Sequence, residues 1–348
     1  MRYKILLLLP IMAFLATLPI HLYATNECLS PNETVWFRYP AQSWSEQALH
    51  IGNGYMGASF YGEVEKERFD IAEKTFWAGG PHAASDFNYG IIKGGKDKIA
   101  TIRQLIVERR FAEADSLSRI YMTGDYTNYG YFSMVGNLWI DFGKNKQPVQ
   151  NYLRGIDLST SRGFVEYTQG GVQFNREYFC SYPDKLMALH LTADKAGKIS
   201  FSLSHSLVYQ PEEVIESENG LTFNGIIREN GLGYTIRIKI VQQGGSVKVA
   251  HQRIVVEKAN EATVFYAVDT EYAPVYPLYK GENPQQNTGK IITKAITKGY
   301  ETVKNTHISD YQTLYNRVRF TLTGDTASEQ LPTNVRVKQW KDLPMTPL

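Results

Sequence analysis

Between residues 137 and 269 the sequence breaks into short segments rich in β-branched, aromatic and aliphatic residues, separated by polar turns. Residues 137–142, 163–168, 172–181, 186–192, 199–207, 221–227, 234–241, 246–251, 253–257 and 262–269 all have this character, and Gln169-Gly170-Gly171 reads as a hairpin turn. So many strands with so few intervening helical patterns leave one economical way to bury apolar faces, which is sheet on sheet. The expected fold is therefore mainly β: a large two-sheet β-sandwich with a few short helices.

Upstream, residues 44–81 read WSEQALHIGNGYMGASFYGEVEKERFDIAEKTFWAGGP. Gly52-Asn53-Gly54 predicts a shaped turn, because Gly has no Cβ and Asn tolerates the left-handed region. Met56, Ala58 and Phe60 then alternate as on a half-buried strand, with a partner strand expected over 68–71 and an aromatic loop around Trp77. Glu63, Glu65 and Glu67 read as a solvated, charge-alternating link between the two strands. Two helices are expected next, one with Ile99, Ile102, Leu105 and Ile106 on a face, the other with Ala114, Leu117 and Ile120, both packed on the side of a sheet. The run 124–133, GDYTNYGYFS, reads as a surface loop whose Tyr126, Tyr129 and Tyr131 either stack on a sugar or simply pack the loop.

After Tyr272 the composition turns to Pro, Asn, Gln and Gly, and helical spacing follows in two sets: Ile291, Ile292, Ala295 and Ile296, then Ile308, Tyr311, Leu314 and Val318. The expected organisation is a leader over 1–24, a sandwich over 25–275, and an irregular loop with helical segments over 276–348. The leader has Arg2 and Lys4, an apolar run from Ile5 to Ile20 and small residues near Ala24, which is the pattern of a secretory signal. It predicts a secreted or periplasmic protein with no membrane span after cleavage.

A net charge of +2, with acids and bases interspersed, provides no basic field for nucleic acid. Cys28 and Cys180 are the only cysteines, too few for a disulfide scaffold, and neither lies in a nucleophile motif. The histidines show no metal-ligand spacing, so no metal and no cofactor is expected. Arg176 and Glu177 are neighbours on one strand and point to opposite faces, which prevents them from acting as a facing pair.

The order AxxW, IGNGxxGAxxxG, ExxxFWxGGP, then Ile102-Arg103-Gln104-Leu105-Ile106, Phe111-Ala112-Glu113-Ala114, Gly136-Asn137-Leu138, residues 152–158, residues 176–184 and His307-Ile308-Ser309-Asp310-Tyr311 resembles the amino-terminal region of glycoside hydrolase family 95. That family comprises 1,2-α-L-fucosidases and α-L-galactosidase relatives, and the resemblance covers roughly residues 34–340. The chain departs from the pattern at Ala72, where an Asn is expected before Glu73. The resemblance implies an inverting fucosidase acting on α-1,2-linked fucose of glycans, its helical segments being the linker to an (α/α)6 barrel that holds the catalytic acid and water-activating groups.

This sequence stops at Leu348, before such a barrel, so the expectation is no catalytic residue within it and no hydrolysis by the chain itself. The residues singled out for substrate contact are Asn53, Glu73 and Trp77, in a loop that would border the sugar pocket. Two other readings stay open: a secreted carbohydrate-binding module without turnover, and a sandwich of the sugar phosphorylase kind.

Overall fold

The computed structural model describes residues 33–80, 90–124, 130–320 and 330–341. The expected leader lies outside them, as do Cys28, His82, Tyr126 and Tyr129. Two antiparallel sheets make up most of the molecule. The first has nine strands in the order β1 (Thr34–Phe37), β8 (Val149–Asp157), β9 (Arg162–Gln169), β10 (Val172–Ser181), β11 (Leu186–Ala193), β18 (Glu261–Thr270), β15 (Leu232–Gln243), β14 (Gly220–Ile227) and β13 (Glu213–Ser217). The second has seven: β16 (Ser246–Ala250), β17 (Arg253–Ala259), β12 (Ile199–Leu207), β7 (Gly136–Asp141), β4 (Lys66–Glu73), β3 (Met56–Phe60) and β2 (Leu49–Gly52). A two-stranded ribbon, β5 (Trp77–Ala78) with β6 (Tyr131–Phe132), stands apart.

One continuous core lies between the sheets. Ile51, Met56, Ala58, Phe60, Phe69, Ile71, Leu138, Ile140 and Leu203 meet Val165, Tyr178, Leu189, Leu191, Ile236, Ile238, Val264 and Val268 there. Tyr178 sits at its centre, edge-on to Phe60 at 5.1 Å and to Phe69 at 4.9 Å. The outer face of the nine-stranded sheet is also covered. Phe179, Leu186, Ala188, Phe265 and Ala267 pack against Ile292, Ala295 and Val303 of α3 (Pro284–Lys298) and α4 (Tyr300–Tyr315). Burial on both faces is why β11 and β18 read as near-continuous apolar runs instead of alternating.

Several expectations need correction. Glu67 is not in a solvated link but fully buried, because β4 begins at Lys66 and its period of two turns Glu67, Phe69, Ile71 and Glu73 inward. Its Oε1 accepts from the backbone N–H of Tyr61, Gly62 and Arg68, and Oε2 lies 3.9 Å from the equally buried Arg176. Arg176 in turn donates to the carbonyls of Glu63 and Val64 and to the Tyr167 hydroxyl. Burial pushes the Glu67 carboxyl up, and Arg176 draws it back.

Strands β1, β8 and β13 lie outside the segments that the sequence pattern marks. In β8 the register shifts between Gln150 and Leu153, with Asn151 at φ 52°, and this breaks the alternation. In β13 no residue is buried, so no apolar face marks it. Tyr131 and Phe132, expected in a loop, form the strand that pairs with Trp77 and Ala78.

The helices α1 (Gly95–Val107) and α2 (Phe111–Tyr121) pack mainly on each other and leave Ile99, Ile106 and Ile120 exposed. On α4 the buried positions are Val303 and His307, while Leu314, and Val318 just past the helix end, are exposed. A last helix, α5 (Thr333–Lys341), reaches β1 through Thr333 Oγ1, which accepts from the Trp36 N–H at 3.0 Å.

Candidate functional site

Asn53, Glu73 and Trp77 come together at one end of the sandwich, tied by backbone bonds. Lys74 N–H donates to Tyr55 O, linking the β2–β3 turn to the end of β4, and the Trp77 indole N–H donates to Lys74 O at 2.9 Å. Asn53 holds the turn: its Oδ1 accepts from the N–H of Tyr55 and Met56, and its Nδ2 donates across the core opening to Ser181 O at 2.8 Å. Gly54 adopts φ 76°, a conformation that only glycine takes without strain. The side chain of Asn53 is thus engaged with protein on both of its ends.

Glu73 is completely buried at the end of β4. Its Oε2 accepts from Thr75 N and Thr75 Oγ1, at 2.9 and 2.6 Å, and Thr75 Oγ1 also meets Thr270 Oγ1 at 2.6 Å. Oε1 has no hydrogen-bond partner among the described residues. Burial, with a smaller contribution from the Asp269 charge, pushes this carboxyl up to about 7. Asp269 lies in the same cluster, and its oxygens accept from Tyr55 Oη at 2.7 Å, from Thr270 N and from Asn287 Nδ2 at 2.8 Å. Burial and the neighbouring Glu73 and Asp269 charges raise the Tyr55 phenol well above its ordinary value.

Trp77 is 45% exposed, edge-on to Phe132 at 6.0 Å, with Tyr131 and Phe132 themselves half exposed beside it. The ribbon is braced from the β14–β15 turn, where Asn230 Nδ2 donates to the carbonyls of Trp77 and Gly79. Nothing in the sequence singles out Tyr55, Thr75, Phe132, Asn230, Asp269 and Thr270 as members of one cluster. They lie on segments far apart in the chain, and only the strand order brings them together.

Glycoside hydrolysis needs two groups facing a sugar from either side of the scissile bond. Glu73 and Asp269 are two carboxyls in one cluster, but both are buried and their partners are the loops they hold. Their arrangement pins loops and presents no acid–base pair to a ligand. What this end offers to the outside is the aromatic surface of Trp77, Tyr131 and Phe132. A cavity of about 550 Å³ beside α4 is lined by Pro183, Thr302, Asn305, Thr306, Ser309 and Asp310, away from these residues. Among the described residues no three His, Cys, Asp or Glu side chains converge to hold a metal ion. Cys180 is buried in the core, where burial pushes its thiol far up.

Residues 35–274 match the family model described as glycosyl hydrolase family 65, N-terminal domain. The chain belongs to that family. This glycosyl hydrolase N-terminal domain is 28% identical over 337 residues to alpha-L-fucosidase 2 of Arabidopsis thaliana, which covers 88% of this chain and 39% of the plant protein. It is 27% identical over 318 residues to "Probable alpha-fucosidase A" of Aspergillus niger, covering 86% of this chain and 39% of that protein. The chain therefore spans about two fifths of the length of the curated relatives it matches. A solved structure described as a putative kojibiose phosphorylase from human microbiome superposes with a TM-score of 0.55 at 10% identity, over 90% of this chain and 41% of that one. That likeness is one of fold: a glycoside hydrolase amino-terminal domain built as a large antiparallel sandwich.

Proposed function

We propose that this chain is the amino-terminal region of a secreted or periplasmic α-L-fucosidase of the family 95 kind. In this reading residues 1–24 are a cleaved signal, 25–275 the sandwich and 276–348 the loop and helical linker. The enzyme acts on terminal α-1,2-linked fucose of glycans, with its acid and water-activating groups supplied by a domain other than the sandwich. The observation that carries this is the 28% identity to a plant alpha-L-fucosidase across 88% of the chain. Within it, the end bearing Asn53, Glu73 and Trp77 borders the sugar pocket. Asn53 and Glu73 act by holding the turn and the β4 end, and Trp77 offers its exposed ring to a sugar face.

The test is kinetic. In a full-length relative that carries this loop, changing the tryptophan aligned with Trp77 to Ala is expected to raise KM for a fucoside about tenfold, the loss of ~1.4 kcal/mol of ground-state binding. Unchanged kinetics would remove the loop from the pocket. A second reading, a carbohydrate-binding module without turnover, draws on the same exposed Trp77, Tyr131 and Phe132, and saturable glycan binding by the chain alone would favour it.

A further inference from the structure

At the β1–β8 edge of the nine-stranded sheet, away from the Trp77 end, the lining of a cavity of about 440 Å³ includes Arg38, Tyr39, Glu63, Val64, Glu65 and Tyr152. That volume lies within the range of small-molecule sites, roughly 300–1,000 Å³. Its walls are fixed by groups behind them. The Tyr152 hydroxyl donates to Gly62 O at 2.7 Å, and Arg154 Nε donates to Tyr39 O at 2.8 Å. Gly62 adopts φ 76°, and a Cβ there would fall 2.4 Å from the Tyr152 oxygen and 2.5 Å from Arg154 Cδ, so the wall closes only around a glycine.

Arg154 is the unusual element. It is completely buried, with its guanidinium 4.4 Å from the centre of the Phe37 ring, and neither Nη1 nor Nη2 has a hydrogen-bond partner among the described residues. Leaving such donors unmet is expensive, and the guanidinium stands behind the Tyr39 and Tyr152 wall, where the charges of Glu67 and Glu63 also act on it. The opening carries both signs, because Arg38, Glu63 and Glu65 are all exposed and line it.

An anion would meet those two carboxylates, and a cation would meet Arg38. A neutral polyol suits both signs at the opening, because a hydroxyl can donate to the Glu63 or Glu65 carboxylate and accept from the Arg38 guanidinium. The rings of Tyr39 and Tyr152 add faces against which the C–H groups of a pyranose pack. We propose that this cavity is a second glycan-binding site, which takes a neutral sugar unit and is independent of the Trp77 end. It would hold one part of a branched or extended glycan on the side of the sandwich while another part is processed elsewhere.

The experiment is titration of the isotopically labelled chain with 2′-fucosyllactose, a neutral oligosaccharide, followed by amide shifts and repeated on two variants. The site predicts saturable shifts at Tyr39, Glu63, Val64 and Tyr152, at least tenfold weaker binding in E63Q/E65Q, and unchanged shifts at these amides in W77A. Glu63 and Glu65 are exposed, so their double replacement leaves the core untouched. Absence of shifts at these amides, or equal affinity in E63Q/E65Q, would overturn the proposal. Shifts confined to the Trp77 end and abolished by W77A would overturn it too, while supporting that end as the sugar contact.

Discussion

Glu73 has one oxygen engaged by Thr75 and the other without a partner among the described residues, so its proton couples to the stability of the fold. Its carboxyl is raised from the ordinary value of 4.5 to about 7. Between those values the folded chain holds a proton that the unfolded chain has lost, so stability is full below 4.5 and falls as pH rises toward 7, by up to about 3 kcal/mol. Glu67 shifts in the same direction and adds slope of the same sign. Thermal melts of the wild type and of Glu73→Gln should therefore diverge with pH, the variant gaining on the wild type between pH 5 and pH 8. Parallel curves would mean that Glu73 is ionised in the fold throughout. Asn53 offers a second check. Asn53→Ala removes three hydrogen bonds that hold the turn and tie it to Ser181, and should cost about 1–3 kcal/mol in denaturant unfolding.

At the scale of elements, the helical pair is the part whose attachment can be dissected. Tyr300 opens α4, stacks on His190 at 3.9 Å, and hydrogen-bonds Glu177, which also pairs with Arg162 and with Lys304 at 3.6 Å. Further along, His307 lies against Phe179 at 4.7 Å and bonds Thr160 O. Tyr300→Ala leaves a cavity over β10 and strips a partner from a nearly buried carboxylate, a loss of about 3–5 kcal/mol. Hydrogen exchange should then show α4 opening well before β10 and β11. Uniform exchange across all three would contradict a separable helical layer.

The same elements show what is legible in advance. The sandwich follows from the alternating strands, and the glycoside hydrolase relationship from the motif order, because both are local patterns. Glu67 escapes such reading because a charged residue inside a strand looks solvated until its partner, Arg176, is found more than a hundred positions away. On α4 the spacing of Ile308, Tyr311, Leu314 and Val318 suggests a face, but the β8–β9 turn beneath is met by His307, Tyr311 and Gln312, and Leu314 and Val318 are left exposed. Asn53, Glu73 and Trp77 share one end as expected of a single hairpin and loop, whereas Asp269, Thr270 and Asn230 join them through strand order alone.

The whole molecule is a glycoside hydrolase amino-terminal sandwich whose buried acids hold loops, and sugar contact by its exposed rings and carboxylates is what the proposals above assign to its surface. Glu73 and Asp269 lack access to a ligand, and Glu67 is enclosed by backbone amides and Arg176. No helix among the described residues is long and apolar enough to cross a membrane. The most direct measurement is release of free L-fucose from 2′-fucosyllactose by the purified chain, beside an active full-length alpha-L-fucosidase. The expected result is no release by the chain while the control turns over. Sustained release by the chain, lost in Glu73→Gln or in Asp269→Asn, would place the hydrolytic pair inside the sandwich and contradict it.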